Sequence, residues 1–424
     1  MFIYTVNPGD TPASIARQFG VPLTRLLFDN GLEGSGRIAV GQALIILFPE
    51  DTYTVSAGDT LFSISQSTGV STGQLLRNNP YLSTRPLRPG ETIVTGYSQR
   101  PEQSYRINGY AYPFISQELL RRTLPFLSTL TVFGYGFTED GMLLSPDDGP
   151  ILSAAAEFGV PPVFLLSSID ENGNFSTERA SMLFNNIAVQ NAVLNNIVNV
   201  MQLKGYRGLD IDFEYVSADD SEAFISFIQN ATDIMHANGF FVNVDLAPKA
   251  SADQRGLLYE AHDYARIGAI ADTVFLMTYE WGYTYGPPLA VAPIDQVERI
   301  VRYAVTEIPV EKILLGIPNY GYIWTLPFEK GITRAVTVGN QYAASIAADV
   351  NATIEFDTTS MVPYFYYSSG GVERVAWFED VRSIQAKLNL VQDYGLRGFG
   401  YWNIMRPFAQ NLALLSVSFT PEPI

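Results

Sequence analysis

Three carboxylates stand two residues apart in Gly208-Leu209-Asp210-Ile211-Asp212-Phe213-Glu214-Tyr215. The stretch reads as a strand in which Leu209, Ile211 and Phe213 alternate against the acids, so Asp210, Asp212 and Glu214 share one face. Neighbours along that face are roughly 6–7 Å apart at Cα, and acids so close repel one another, which pushes at least one pKa upward. The same alternation also describes a half-buried strand with a solvated face. The flanks favour chemistry. An amphipathic helix is predicted over 217–238, capped by Ser217 or Asp219 and ended by Gly239, and an apolar strand follows over 240–247. A strand in such a β-α-β series is buried on both faces, so its acids belong at its C-terminal end, where α/β sheets and barrels hold their sites. Glu214, the outermost, is placed to protonate a leaving oxygen, as glycosidic cleavage requires. The other two lie behind it, which suits tuning better than nucleophilic attack. A substrate acetamide can supply the nucleophile instead, with Asp212 holding it and Asp210 sharing a proton with Asp212.

Composition removes the competing chemistries. The chain has no cysteine, so thiol nucleophiles, disulfides and thiolate metal sites are excluded. Its two histidines, His236 and His262, are isolated; both read as surface or helix-end residues, which leaves no Ser-His-Asp triad, no metal site and no cofactor. A net charge of −17 argues against nucleic acid, which needs clustered Lys and Arg. No apolar run approaches the ~20 residues of a membrane span. Met1-Phe2-Ile3-Tyr4-Thr5-Val6 leads straight into a folded motif without a basic or apolar leader, so no signal peptide is predicted.

The elements that position these residues begin with a repeat. Tyr4-Thr5-Val6 matches Tyr53-Thr54-Val55, Gly9-Asp10-Thr11 matches Gly58-Asp59-Thr60, and Asn30 and Gly41 match Asn79 and Gly90, all at one offset of 49 residues. Constant spacing over so many points marks two copies of one module, each strand, helix, helix, strand. A polar linker is predicted over 98–104. Beyond it, eight strand-like segments at 107–113, 130–137, 162–169, 208–214, 240–246, 273–279, 313–318 and 398–402 alternate with helices. That pattern predicts an α/β fold, a (β/α)8 TIM barrel, with a small α+β insertion at about 325–378 between strands 7 and 8. The expected division is 1–49, 50–97 and 98–424.

The repeat resembles the LysM module, whose signature of Y-x-V-x-x-G-D-T, a central Asn and a late Gly it carries twice. The resemblance implies two βααβ modules that bind glycans containing N-acetylglucosamine through the loops after the first strand and before the last, which points to Gly9-Asp10-Thr11-Pro12 and Gly58-Asp59-Thr60-Leu61. The other reading of Asp10 and Asp59 is as caps of the first helix, opened by Thr11 and Thr60. The acidic strand resembles the D-x-x-D-x-D-x-E strand of family 18 glycoside hydrolases from Asp210 onward, with Arg207 in place of the first Asp. Met277-Thr278-Tyr279-Glu280 is similar to that family's M-x-Y-D, and Gly400-Tyr401-Trp402 to the end of its eighth strand. The resemblance implies that Tyr279 bonds the acetamido oxygen, that Trp402 floors the sugar site, and that Glu280 replaces a sugar-binding Asp. A plain core tryptophan is the other reading of Trp402. Ser167-Ser168-Ile169-Asp170 departs from the S-x-G-G of the family's chitinases. The combination resembles the family's cortex-fragment-lytic N-acetylglucosaminidase branch from spore-forming bacteria. It implies an enzyme of spore cortex peptidoglycan, spore-located and acting in germination. The alternatives are a lectin-like glycan binder, which ordinarily lacks the acid Glu, and a chitinase.

Overall fold

Eight parallel strands close into one barrel in the computed structural model, which describes residues 1–170 and 172–424. In chain order they are β1 (Gln103–Ala111), β2 (Thr129–Phe137), β3 (Pro162–Ser167), β4 (Gly208–Asp212), β5 (Phe241–Leu246), β6 (Thr273–Leu276), β7 (Ile313–Pro318) and β8 (Gly398–Trp402). Each pairs with the next, and β8 closes on β1 through Gly398↔Arg106 to Tyr401↔Gly109. Two short strands, Leu143–Leu144 and Phe419–Pro421, extend the wall at β2 and β1.

Helices cover the outside, and one of them fixes the orientation of β4. The helix Ser221–Ala237 buries Phe224, Phe227, Ile228, Ala231 and Met235 at the three-to-four spacing of an amphipathic face. Phe184 meets Phe213 at 5.1 Å and Phe227 at 5.4 Å between ring centroids, closing an aromatic cluster behind the strand. Leu209, Ile211 and Phe213 point into this layer and are buried. Alternation along the strand then turns Asp210 and Asp212 toward the barrel interior.

Several strands end earlier than the sequence predicts. β4 stops at Asp212, so Glu214 lies just beyond the ladder, and β6 stops at Leu276, leaving Met277 to Glu280 outside it. There the backbone turns on itself: the Thr278 N–H donates to the Leu276 carbonyl and the Tyr279 N–H to that of Met277, at 2.8 and 2.9 Å. Such three-residue turns commonly end strands and re-aim the side chains that follow. β1 begins at Gln103, inside the segment read as linker, because Phe419–Pro421 pairs with it. Ser217 caps a short 3-10 turn, Ala218–Asp220, and the α-helix starts only at Ser221; Asp219 supplies the capped N–H and is not itself the cap.

Each module pairs its first and last strands antiparallel, Phe2–Thr5 with Ala43–Ile46 and Pro49–Thr54 with Thr92–Tyr97, around two short helices. The repeated asparagines complete these sheets. The Asn30 amide donates to the Ile45 carbonyl and its oxygen accepts from the Ile45 N–H, and Asn79 does the same with Val94, all at 2.7–2.9 Å. Between β7 and β8 lies a five-stranded antiparallel sheet, whose strands run from Gly321–Thr325 to Val372–Trp377, with the helix Asn340–Asp349. No helix among the described residues is long and apolar enough to cross a membrane.

Candidate active site

The acids of β4 meet partners from three other strands inside the barrel. Asp210, 1% exposed, accepts from the Asn243 amide of β5 at 2.6 Å and from the Thr131 hydroxyl of β2 at 3.5 Å. Asp245, two residues beyond Asn243, accepts from the same amide at 3.0 Å and from the buried Tyr110 hydroxyl of β1 at 2.8 Å. Burial raises the pKa of Asp210, and burial together with the charges of Asp210 and Asp212 holds that of Asp245 well above the carboxylate range. Asp210 thus meets a neighbouring carboxyl, Asp245, besides the Asp212 partner expected from spacing.

Asp212 is different. It is 4% exposed, and its Oδ1 has no hydrogen-bond partner among the described residues. Burial, then Glu214, then Asp210 push its pKa well above the usual range. An orphaned buried oxygen costs about 1–3 kcal/mol, which a ligand N–H placed there would recover. Glu214 is half-buried at the rim, and burial and the charge of Glu280 raise its pKa to about 6.

The ends of β6 and β8 complete the rim. Tyr279 is half-buried, and after burial the charges of Asp245, Glu214, Asp212 and Glu280 raise its hydroxyl pKa well above 10. Gly316 of β7 leaves room for it: a Cβ there would lie 3.0 Å from the Tyr279 ring and 2.3 Å from the Leu276 carbonyl. Glu280 stands at φ +70°, a region that non-glycine residues rarely occupy. The residue as a whole is exposed, yet its carboxylate accepts from the hydroxyls of the buried Tyr320 and Tyr322, the latter at 3.1 Å, and burial raises its pKa. Tyr322 belongs to the insertion's strand Gly321–Thr325, so the insertion walls this side of the cleft.

Trp402 is no isolated core residue. Half-buried, it meets Phe133, Tyr110 and Tyr112 at 5.3, 5.8 and 6.2 Å. Tyr112 in turn stacks on Phe114 at 5.2 Å, and Phe114 is 77% exposed. A continuous aromatic surface therefore leads from Trp402 out to solvent, suited to the apolar faces of sugar rings.

His262 overturns its reading as a surface residue. It is fully buried, with its Nδ1 accepting from the Ala247 N–H at 3.1 Å and its Nε2 3.2 Å from the Phe213 carbonyl. With Nδ1 accepting, Nε2 carries the proton and donates, and burial lowers the pKa to about 4, so the ring stays neutral. It ties the chain just past β5 to the residue before Glu214. His262→Leu is expected to destabilise the fold by about 1–3 kcal/mol for each group left unpaired and to lower kcat, read by urea unfolding and steady-state kinetics. His236 does lie in the last turn of its helix, exposed and 2.8 Å from Asp272.

The structure brings Asp210, Asp212, Glu214, Tyr279, Glu280 and Trp402 to one end of the barrel. It adds Tyr110, Asn243, Asp245, Tyr320 and Tyr322, which the sequence reading missed. Asn243-Val244-Asp245 carried a usable signal, two polar residues alternating within an apolar strand. The module residues lie apart in two outer loops. Thr11 and Thr60, not the aspartates, cap the first helices, each reciprocated by a serine three residues on. Asp10 and Asp59 instead accept from the Tyr4 and Tyr53 hydroxyls at 2.7 and 3.0 Å and from the N–H groups of Asn7 and Ser56. Gly9 and Gly58 take φ +90° and +91° to let these turns close. Among the described residues no group of three or more His, Asp or Glu side chains could hold a metal ion.

Comparison with known proteins agrees with this geometry. Residues 155–406 match the glycosyl hydrolases of family 18, and residues 4–47 and 53–95 match the LysM domain. The chain is 40% identical to the cortical fragment-lytic enzyme of Bacillus subtilis (strain 168), over 99% of this chain and 98% of the relative. It is 32% identical to a putative sporulation-specific glycosylase, YdhD, of the same organism, over 99% of each. The crystal structure of the spore cortex-lytic enzyme SleL of Bacillus megaterium QM B1551 superposes with a TM-score of 0.84 at 36% identity, covering 100% of this chain and 99% of that one. A glycosidase-type acid row on a closed barrel, preceded by paired LysM domains, makes this chain a member of family 18 of the glycosyl hydrolases.

Proposed function

We propose that this enzyme is a spore cortex peptidoglycan hydrolase, an N-acetylglucosaminidase that cleaves β-1,4 bonds after N-acetylglucosamine with retention, in germinating spores. The observation that carries this reading is the unpaired, buried Asp212 oxygen beside a half-buried Glu214 whose pKa is raised to about 6. Asp212 accepts the acetamido N–H and Tyr279 donates to the acetamido oxygen, which attacks the anomeric carbon as Glu214 gives its proton to the leaving oxygen. Glu214, now a carboxylate, takes a proton from the water that opens the resulting ring. Asp210 and Asp245 tune the charge of Asp212, Trp402 floors the sugar, and Glu280 borders it. The units 1–49, 50–97 and 98–424 act together, the LysM pair tethering the barrel to insoluble glycan and raising the local substrate concentration.

Mass spectrometry of cortex digested by the enzyme tests the reading: products ending in reducing N-acetylglucosamine support it. Preferential turnover of chitin oligomers would reassign the substrate, and binding without any cleavage would leave a lectin. A pH profile tests the acid. Glu214 donates only when protonated, so kcat/KM falls as pH rises through about 6. Glu280→Gln removes a neighbouring negative charge, lowers the Glu214 pKa and moves this limb to lower pH. A limb that stays in place would remove Glu280 from the electrostatics of the acid.

A further inference from the structure

The two LysM modules share a backbone but not their surroundings. In each, the loop after the first strand and the loop before the last lie side by side. The Gly41 N–H donates to the Val6 carbonyl at 2.8 Å and the Gly90 N–H to that of Val55 at 2.7 Å. Both glycines have left-handed backbone, φ +81° and +86°. Around Gly90 a Cβ would meet open space, whereas at Gly41 it would lie 1.9 Å from the carbonyl oxygen of Ile354 in the insertion. The Val40 carbonyl accepts from the Ile354 N–H at 2.8 Å, and Ala39 is buried in the insertion's core with Val338, Ile354 and Phe365. At the position matching Ala39 the second module has Arg88, exposed to solvent. A second contrast points the same way. Phe62, directly after the Gly58-Asp59-Thr60-Leu61 stretch, is 68% exposed, and the first module has Ala13 in its place. A lone exposed aromatic beside an open polar loop pair suits the apolar face of a sugar.

We propose that the repeats have separate roles: the second module's loop pair binds N-acetylglucosamine-containing glycan, and the late loop of the first module's pair is covered by the insertion that walls the active-site cleft. This rests on the reading that the LysM loops are glycan sites, and it assigns that site to one module of the two. The first module is then a brace. By gripping Ile354 it holds the sheet that carries Tyr322 against Glu280.

Amide hydrogen exchange on the full chain carrying Glu214→Gln, with and without a β-1,4-linked N-acetylglucosamine pentamer, is the direct test. Slowed exchange is expected over 56–60 and 86–91, with no change over 7–11 and 37–42. Phe62→Ala in the same chain is expected to weaken sedimentation with insoluble peptidoglycan roughly three- to tenfold. Slowing over 7–11 equal to that over 56–60, or unchanged sedimentation of Phe62→Ala, would overturn the assignment. Protection over 208–215 with none in the second module would also overturn it while leaving the catalytic reading intact. Protection in the second module with no cleavage by the wild-type chain would sink the catalytic reading alone. The bracing role is read separately from Gly41→Ala and Gly90→Ala, which carry the same backbone strain. The former is expected to lower Tm clearly more, and equal losses would refute the brace.

Discussion

Glu214→Gln is expected to lower kcat for peptidoglycan cleavage by about 10²–10⁴-fold with little change in KM. Glutamine keeps the shape of the side chain and its place at the rim, but has no acidic proton to give. The size of the effect should depend on the leaving group. A sugar alkoxide cannot depart without a proton, whereas an aryl oxide of low pKa can. On an aryl glycoside of an N-acetylglucosamine oligomer, the variant should therefore release a rapid burst of phenol. Slow turnover should follow, because the second step still needs Glu214 as base to water. Stopped-flow measurement separates these phases. An equal defect on both leaving groups with no burst would mean that Glu214 is not the proton donor. In that case the charge it adds beside Asp212 and Tyr279 would be its only contribution.

Much of this site was legible in the sequence because its signals are local. The acids at 210, 212 and 214 share a face through the two-residue period of a strand, and the modules show themselves by one constant offset. Strands alternating with helices predict an α/β fold, and their number, eight, over a barrel-sized length predicts a barrel. What was not legible depends on register between distant strands. Asp245 matters because β5 pairs with β4 so that Asn243 sits opposite Asp210, a match between residues far apart in the chain. Tyr110 reaches Asp245 only across the closed barrel, a contact that no local pattern encodes. His262 looked unremarkable because its partners are the Phe213 carbonyl and the Ala247 N–H, backbone groups with no side-chain signature. Glu280 stood out as one methylene longer than the resemblance implies, yet its tyrosine partners come from the insertion, whose internal order the sequence did not reveal. Ala39 against Arg88 was visible in the aligned repeats, but its meaning required Ile354.

Asp212→Asn should separate activity from stability in opposite directions. If the Asp212 carboxylate stabilises the positive charge that develops on the acetamide ring, its replacement should cost roughly 10²–10³-fold in kcat, as for removal of one preorganised charge-stabilising group. Stability should move the other way. In the folded protein Asp212 is buried, has an oxygen without a partner, and stands between the charges of Asp210 and Glu214, so its pKa is raised. A carboxyl with a raised folded pKa binds more protons folded than unfolded. Its stabilising share is complete below the unfolded value of ~3.9 and is lost as pH rises from there toward the folded pKa. Asparagine carries no charge at any of these pH values, so the variant should lack that part of the decline and melt above the wild type near neutrality. Paired thermal melts from pH 4 to pH 8 and steady-state kinetics on the same preparations would measure both. A variant less stable than the wild type across the whole range would mean that Asp212 is held by favourable contacts. The acid row would then not be the store of unfavourable energy that substrate binding relieves.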